Sequence, residues 1–258
     1  MLLAGILRIS IVILAIGVPG SLPWATRRLT EEELSRMIGV GRREVKGLPL
    51  VGPVTVTVTY DLVAVMDLNA EQGYMETTGW LYMSWTDPRL AYTSTRGAGD
   101  LTNIAVDKDS IWTPDIELYN MYVQRAITDG EASSGLKMLG QKTQAVVSQD
   151  GTVFLIEKTN VRSVCDVSGQ LAHGDSVMCP LKFGSWASHA GLIDVHLMST
   201  DATNRDGPRE LRLSEFRPAG RWTATGASQQ RDVLRYDCCP EQYALTTFNF
   251  TFQKRRLG

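Results

Sequence analysis

The chain has 258 residues, of which 43% are hydrophobic and 21% charged, an ordinary globular balance sufficient for one large domain or two small ones. Disorder and collagen-like repeats are excluded. Lys and Arg total 26 against 28 Asp and Glu, a formal charge of -2, so no global field draws the chain to nucleic acid or to an anionic membrane surface.

Taken in chain order, the first feature is an apolar run, residues 9–18 (ISIVILAIGV), behind Arg8 and ahead of Pro19, Gly20 and other small residues. This is the layout of a secretory signal peptide, with cleavage expected between Gly20 and Ala25. A spanning helix needs about 20 apolar residues, and only about 14 lie between Arg8 and Pro23. Residues 1–25 are therefore read as a signal peptide and 26–258 as one domain, secreted and without a membrane span. Thr30 and Glu33 make a capping box, and Leu34, Met37 and Ile38 recur at helical spacing, which predicts a short helix at the start of the mature chain.

Beyond that helix the period changes to two. Val54, Val56, Val58 and Tyr60 alternate with Thr55, Thr57 and Thr59, and Leu81, Met83 and Trp85 with Trp80, Tyr82 and Ser84. Ile193, Val195 and Leu197 repeat the pattern, as do Phe248, Phe250 and Phe252. Such alternation predicts half-buried antiparallel strands, with turns at Asp150-Gly151 and Asp206-Gly207. Many short strands with little helix and no composition break predict an all-β fold, a single antiparallel β-sandwich with a short N-terminal helix. The polar stretch from Ser199 to Gly220 reads as a long, irregular functional loop. Asn249-Phe-Thr251 is a glycosylation sequon on the polar face of its strand.

In an oxidising compartment four cysteines read as two disulfides, with three connectivities open. Cys165 and Cys179 enclose 13 residues, whereas Cys238 and Cys239 are adjacent. Geometry speaks against a bond between neighbours, because Cα atoms about 3.8 Å apart fall below the usual disulfide range. Cross-links between the two regions are the plainer expectation. The three histidines, His173, His189 and His196, are scattered and there is no Cys-x-x-Cys pair, so neither metal nor cofactor is called for.

A secreted hydrolase is the natural rival, but its machinery is missing from the sequence. Gly184-Ser185-Trp186 lacks the second glycine of a nucleophile elbow, and neither a His-Glu-x-x-His motif nor a phosphate-cradling glycine loop is present. The reading is that the protein is not an enzyme.

Four signatures occur together. They are Trp112-Thr113-Pro114-Asp115 followed by Leu118-Tyr119-Asn120; Cys165 and Cys179 at their 13-residue spacing; Lys182-Phe183-Gly184-Ser185-Trp186; and Tyr236-Asp237-Cys238-Cys239-Pro240-Glu241-Gln242-Tyr243. In this order they resemble the extracellular ligand-binding domain of the nicotinic acetylcholine receptor family and its soluble cousins, the acetylcholine-binding proteins. The match runs from about Thr30 to Arg256. The resemblance overrides the geometric expectation for the cysteines: it implies that Cys165 pairs with Cys179, and Cys238 with Cys239 in a strained ring that stiffens a hairpin tip.

The resemblance also implies a site that takes a quaternary or protonated amine in a cage of aromatic rings between two subunits. Such a ring attracts a cation within about 6 Å by roughly 0.5 to 2 kcal/mol per contact. The principal face would supply Tyr119, Trp186, Tyr236 and Tyr243 with the Cys238–Cys239 tip, Trp186 lying against the ammonium. Tyr236 and Tyr243 would close as a lid. The neighbouring subunit would contribute Trp80, with Phe154 and Ile156 as an apolar floor. Trp85 and Trp112 are assigned to the core, Asp115 to orienting the Trp186 loop, and Asp201, Asp206 and Glu210 to solvated surface. Implied partners are further copies of the chain in a homopentamer, and acetylcholine, nicotine and similar amines.

Receptors of this family carry an apolar, proline-centred tip between the outer cysteines. Here that loop reads DVSGQLAHGDSVM, with Gly169, His173, Gly174 and Asp175 in place of a Phe-Pro-Phe element. The polar loop, and a chain that stops at Gly258 where a receptor would begin its first membrane helix, favour the soluble branch. A ligand-gated channel subunit truncated before its membrane helices is the runner-up.

Overall fold

The structure, a computed structural model, describes residues 46–49, 52–92, 103–122, 136–138, 143–167, 176–198, 209–211, 213–218 and 220–255. The expected signal peptide, the helix near Thr30, the Asp206-Gly207 turn, and the loop residues Gly169, His173, Gly174, Asp175, Asp201 and Asp206 lie outside the described residues.

Twelve strands form two sheets among these residues. In chain order they are β1 (Val54–Asn69), β2 (Tyr74–Thr86), β3 (Asn103–Asp107), β4 (Ile116–Leu118), β5 (Leu136–Met138), β6 (Gln144–Ser148), β7 (Thr152–Val164), β8 (Ser176–Ser185), β9 (Ile193–Leu197), β10 (Arg209–Glu210), β11 (Trp222–Arg235) and β12 (Gln242–Lys254). Sheet A runs β3-β6-β7-β2-β1-β9 with β5 also on β7, and sheet B runs β10-β11-β12-β8-β4. The only helical turns among these residues are two short 3-10 segments, Pro88–Leu90 and Lys108–Ser110. This is the expected β-sandwich.

Alternation in the sequence becomes layering in space. Val54, Val56, Val58 and Tyr60 of β1 and Leu81, Met83 and Trp85 of β2 are buried, and face Phe248, Phe250 and Phe252 of β12 across the core. At its centre the Tyr60 ring stacks on Phe183, with centroids 5.6 Å apart, and meets Phe250 edge-on at 6.1 Å. Offset and edge contacts of this kind add roughly 0.5 to 1.5 kcal/mol to the burial itself. The buried Tyr60 hydroxyl is satisfied by Thr159, whose own hydroxyl reaches the Gly79 carbonyl. Gly79 has to be glycine, because a Cβ there would lie 2.3 Å from Tyr60 Cζ.

One strand departs from the antiparallel expectation. β9 pairs parallel with β1, Val54 opposite Ile193 and Val58 opposite Leu197. The chain crosses from β8 in sheet B to β9 in sheet A, and alternation of Ile193, Val195 and Leu197 reports the buried face but not the strand's direction. Arg231 of β11 reaches over this seam to the Asp194 carboxylate at 2.6 Å and the Val195 carbonyl at 2.8 Å, tying the sheets together.

Two further expectations are amended. The stretch from Ser199 to Gly220 is not wholly irregular: β10 pairs with β11, Leu211 is buried, and Leu213 and Phe216 pack against the core. The cysteines form Cys165–Cys179 and Cys238–Cys239, not cross-links between the two regions. The adjacent pair bonds with its Cα atoms 3.8 Å apart, so the geometric argument fails and the pairing implied by the resemblance stands. Trp85 is buried as expected, and Trp112 is half-buried with its ring edge-on to Trp85 at 6.0 Å.

Candidate ligand-binding site

Four adjacent strands of sheet B converge on one cluster of rings. β4 ends at Leu118 and delivers Tyr119; β8 ends at Ser185 and delivers Trp186; β11 and β12 form the hairpin that carries Tyr236 and Tyr243. Tyr119 lies edge-on to Trp186 with centroids 5.5 Å apart, and Tyr236 to Tyr243 at 5.3 Å. None of these rings is packed inward. Trp186 is 66% exposed and Tyr236 42%, while Tyr119 and Tyr243 are half-buried. Exposed rings gathered side by side form an apolar patch of the kind that marks an interaction or ligand-binding surface.

The Trp186 loop is built rigidly. Asp115 holds it from below: its carboxylate accepts from the Ser185 hydroxyl and from the Ala187 N–H, both at 2.7 Å, while its backbone carbonyl accepts from Trp186 N–H at 3.2 Å. The Ser185 oxygen in turn accepts from Ser188 N–H. Asp115 therefore orients the loop. On the other side the Ala190 N–H donates to the Gln242 carbonyl at 2.7 Å, fastening the loop to the start of β12.

The glycine of the Lys182-Phe183-Gly184-Ser185-Trp186 motif has its own cause. A Cβ on Gly184 would overlap Leu245 Cδ2, lie 2.9 Å from the Ala244 carbonyl and come within 3.2 Å of Tyr119 Cε2, so glycine lets β12 pack closely on the strand with the Tyr119 ring beside it. Asn120 secures the same corner. Its amide donates to the Pro180 carbonyl at 2.9 Å and its oxygen accepts from Lys182 N–H at 3.0 Å, supplying β8 with bonds beside a residue that has no N–H of its own.

Burial, with the nearby Tyr236, Asp115 and Tyr243, pushes the Tyr119 hydroxyl up to about 12. It stays neutral across physiological pH and donates a hydrogen bond to the Ser185 carbonyl. At the hairpin tip the Cys239 N–H donates to the Tyr236 carbonyl at 3.1 Å, so the paired cysteines lie within a closed turn.

The second group of expected residues lies elsewhere on the chain. Trp80, Phe154 and Ile156 occupy the outer face of sheet A, on the neighbouring strands β2 and β7, with Trp80 opposite to the side that buries Trp85. Phe154 and Ile156 share this face, and Ile156 is exposed. Within one chain these residues and the Trp186 cluster stand on different sheets.

Between Trp80 and the two apolar residues lies Tyr82, which was not singled out from the sequence. It faces Ile156 in register, and its ring is 6.1 Å from that of Phe154. Asp61 sits directly across from Trp80 on β1. Burial, then the charge of Asp61 and its hydrogen bond, pushes Tyr82 up to about 12. Asp61 is itself raised, by burial first, with the nearby Glu215 adding to it against the opposing bond from Tyr82. The alternation Trp80, Tyr82, Ser84 places Tyr82 on this face from sequence alone, but nothing in sequence brings Asp61 or Glu215 to it.

Comparison with known proteins agrees with this fold. The family profile for the neurotransmitter-gated ion-channel ligand binding domain matches residues 46–256, and the chain belongs to that family. Among its relatives, the human neuronal acetylcholine receptor subunit alpha-2 is 27% identical over 201 residues, covering 78% of this chain and 34% of the relative. The acetylcholine receptor subunit alpha-type acr-7 of Caenorhabditis elegans is 30% identical over 203 residues, covering 78% of this chain and 36% of the relative. The chain thus spans about a third of the length of these curated relatives. The crystal structure of the AChBP from Bulinus truncatus shares the fold, with a TM-score of 0.64 at 22% identity, over 86% of this chain and 97% of the other. Among the described residues no helix is long and apolar enough to cross a membrane.

Proposed function

We propose that this chain is a secreted, homopentameric binding protein for acetylcholine and related cationic ligands such as nicotine, with one site at each junction between protomers. The single observation that carries the reading is the solvent-exposed ring of Trp186, held by Asp115 and Ser185 beside Tyr119 and below the Cys238–Cys239 hairpin. A cation placed against this ring meets the negative potential of its face, and each further ring that closes on it excludes water and strengthens the attraction.

In this reading Tyr119, Trp186, Tyr236, Cys238, Cys239 and Tyr243 form the principal half, and Trp80, Phe154 and Ile156, with Tyr82 beside them, form the half contributed by the next protomer. Because the halves lie on unlike faces of one chain, copies join head to tail and close as a ring. The Trp186 carbonyl accepts a hydrogen bond from a protonated amine, which a quaternary ammonium cannot donate. Ligand is bound and released; no reaction is part of the proposal.

A receptor subunit whose extracellular domain this is remains the second reading, favoured by the receptor subunits among its relatives. The polar sequence of the loop between Cys165 and Cys179 favours the soluble form. Size-exclusion mass measured together with titration of a labelled nicotinic ligand tests both assembly and site. A pentamer that binds about one ligand per protomer is expected; a monomer without affinity overturns the proposal. A transcript that continues into four long apolar runs would favour the receptor.

A further inference from the structure

We propose that Asn249 carries an N-linked glycan on the outer face of sheet B. Asn249-Phe250-Thr251 is the only Asn-x-Ser/Thr sequence in the chain. Its placement is unusual for an asparagine, a residue depleted in strands, because it lies in the middle of β12, with β8 on one side and β11 on the other. Phe248, Phe250 and Phe252 point into the core, so Asn249 and Thr251 point out, each half-buried.

A carboxamide in that position would ordinarily be engaged with its neighbours. The Asn249 side chain takes part in no hydrogen bond among the described residues, and neither does the Thr251 hydroxyl. The cross-strand partners of Asn249 are Pro180 and Ser228, which are small and leave the face open above it. Met178, 51% exposed, stands opposite Thr251 and offers an apolar surface for the first sugar ring. The face therefore has room for a sugar and lacks any bond that a sugar would break.

The modification is a transfer from a lipid-linked oligosaccharide pyrophosphate. Asn249 Nδ2 attacks C1 of the first N-acetylglucosamine. A C–N bond forms, the C–O bond to the pyrophosphate breaks, Nδ2 gives up one proton, and the lipid pyrophosphate leaves. The transfer takes place on the extended chain before β12 is enclosed, so a central strand is no obstacle. The inference rests on the secretory part of the reading above.

The test is expression of the full chain in insect cells, followed by intact mass before and after peptide N-glycosidase in heavy-oxygen water. Expected is a loss of mass on treatment, with Asn249 converted to labelled Asp in the peptide map, and no such loss in Asn249→Gln or Thr251→Ala. Thr251→Ser should retain the glycan, which separates loss of the sequon from misfolding. Chain in the medium with an unmodified residue 249 overturns the inference and leaves the ligand-binding reading standing. Chain kept in the cytosol and unmodified overturns both the inference and secretion.

Discussion

The hydroxyl of Tyr119 donates to the backbone carbonyl of Ser185, 2.5 Å away and one residue before Trp186. The two rings that would meet a cation first are thus coupled through the backbone as well as by their edge-on contact. Tyr119→Phe keeps the ring and removes the bond. It should lower stability by about 0.5 to 1.5 kcal/mol and weaken ligand binding less than removal of Trp186, as read by denaturant melts and calorimetric titration.

Trp186→Ala removes a side chain that is mostly in water already, so folding should be nearly unaffected, within about 0.5 kcal/mol. Binding of a quaternary ammonium ligand should fall by about 2 kcal/mol or more. Equilibrium titration with the size-exclusion profile alongside checks both. Loss of assembly without change in the intrinsic affinity would return the ring to a structural role.

Tyr60, Tyr82 and Tyr119 are each pushed up to about 12, burial being the largest cause in all three. A raised folded-state value on an acid means that the neutral form is favoured by folding. The stability this provides is complete below the ordinary tyrosine value of about 10 and is lost as pH rises toward about 12. Tyr74, through its bond to Asp67 first, and Tyr92, through burial, are raised as well, so absorbance titration should show five of the eight tyrosines ionising late, the last of them together with alkaline unfolding. Ligand affinity should be flat from neutral pH to about 9 as far as Tyr119 is concerned.

Gly184→Ala tests the packing under the site. The added Cβ would crowd Leu245 and the Ala244 carbonyl first and the Tyr119 ring less, at a cost of about 1 to 3 kcal/mol. Leu245 and the β12 backbone must give way first and Tyr119 by only a few tenths of an ångström, so stability should fall more than ligand affinity. Unfolding midpoints in denaturant check the loss, and an unchanged midpoint would show that β12 yields to the added group without cost.

The strands were legible because their causes are local. Thr57 and Val58 declare opposite faces by polarity alone, and Trp80 and Trp85, five residues apart on one strand, fall on opposite sides by parity. What lay beyond sequence is what depends on partners. The parallel entry of β9 depends on which sheet the chain crosses into, and the meeting of Asp61 with Trp80 depends on register. The ring cluster was legible in part, since Trp186, Tyr236 and Tyr243 belong to signatures with fixed spacing. Tyr82 was passed over although its parity matched Trp80, and the work done by Gly184 and Asn120 appears only when β8 is set against β4 and β12.

The bond from Ala190 to the Gln242 carbonyl fastens the hairpin at the first residue of β12. Tyr243 sits inside the ladder opposite Leu234, whereas Tyr236 stands just past the last paired residue of β11. Of the two tyrosines expected to close together as a lid, Tyr236 thus lies beyond the ladder with the cysteine pair, whereas Tyr243 is held within it. Any lid confined to the unpaired tip would therefore be only six residues long, from 236 to 241, and would carry one ring of the four.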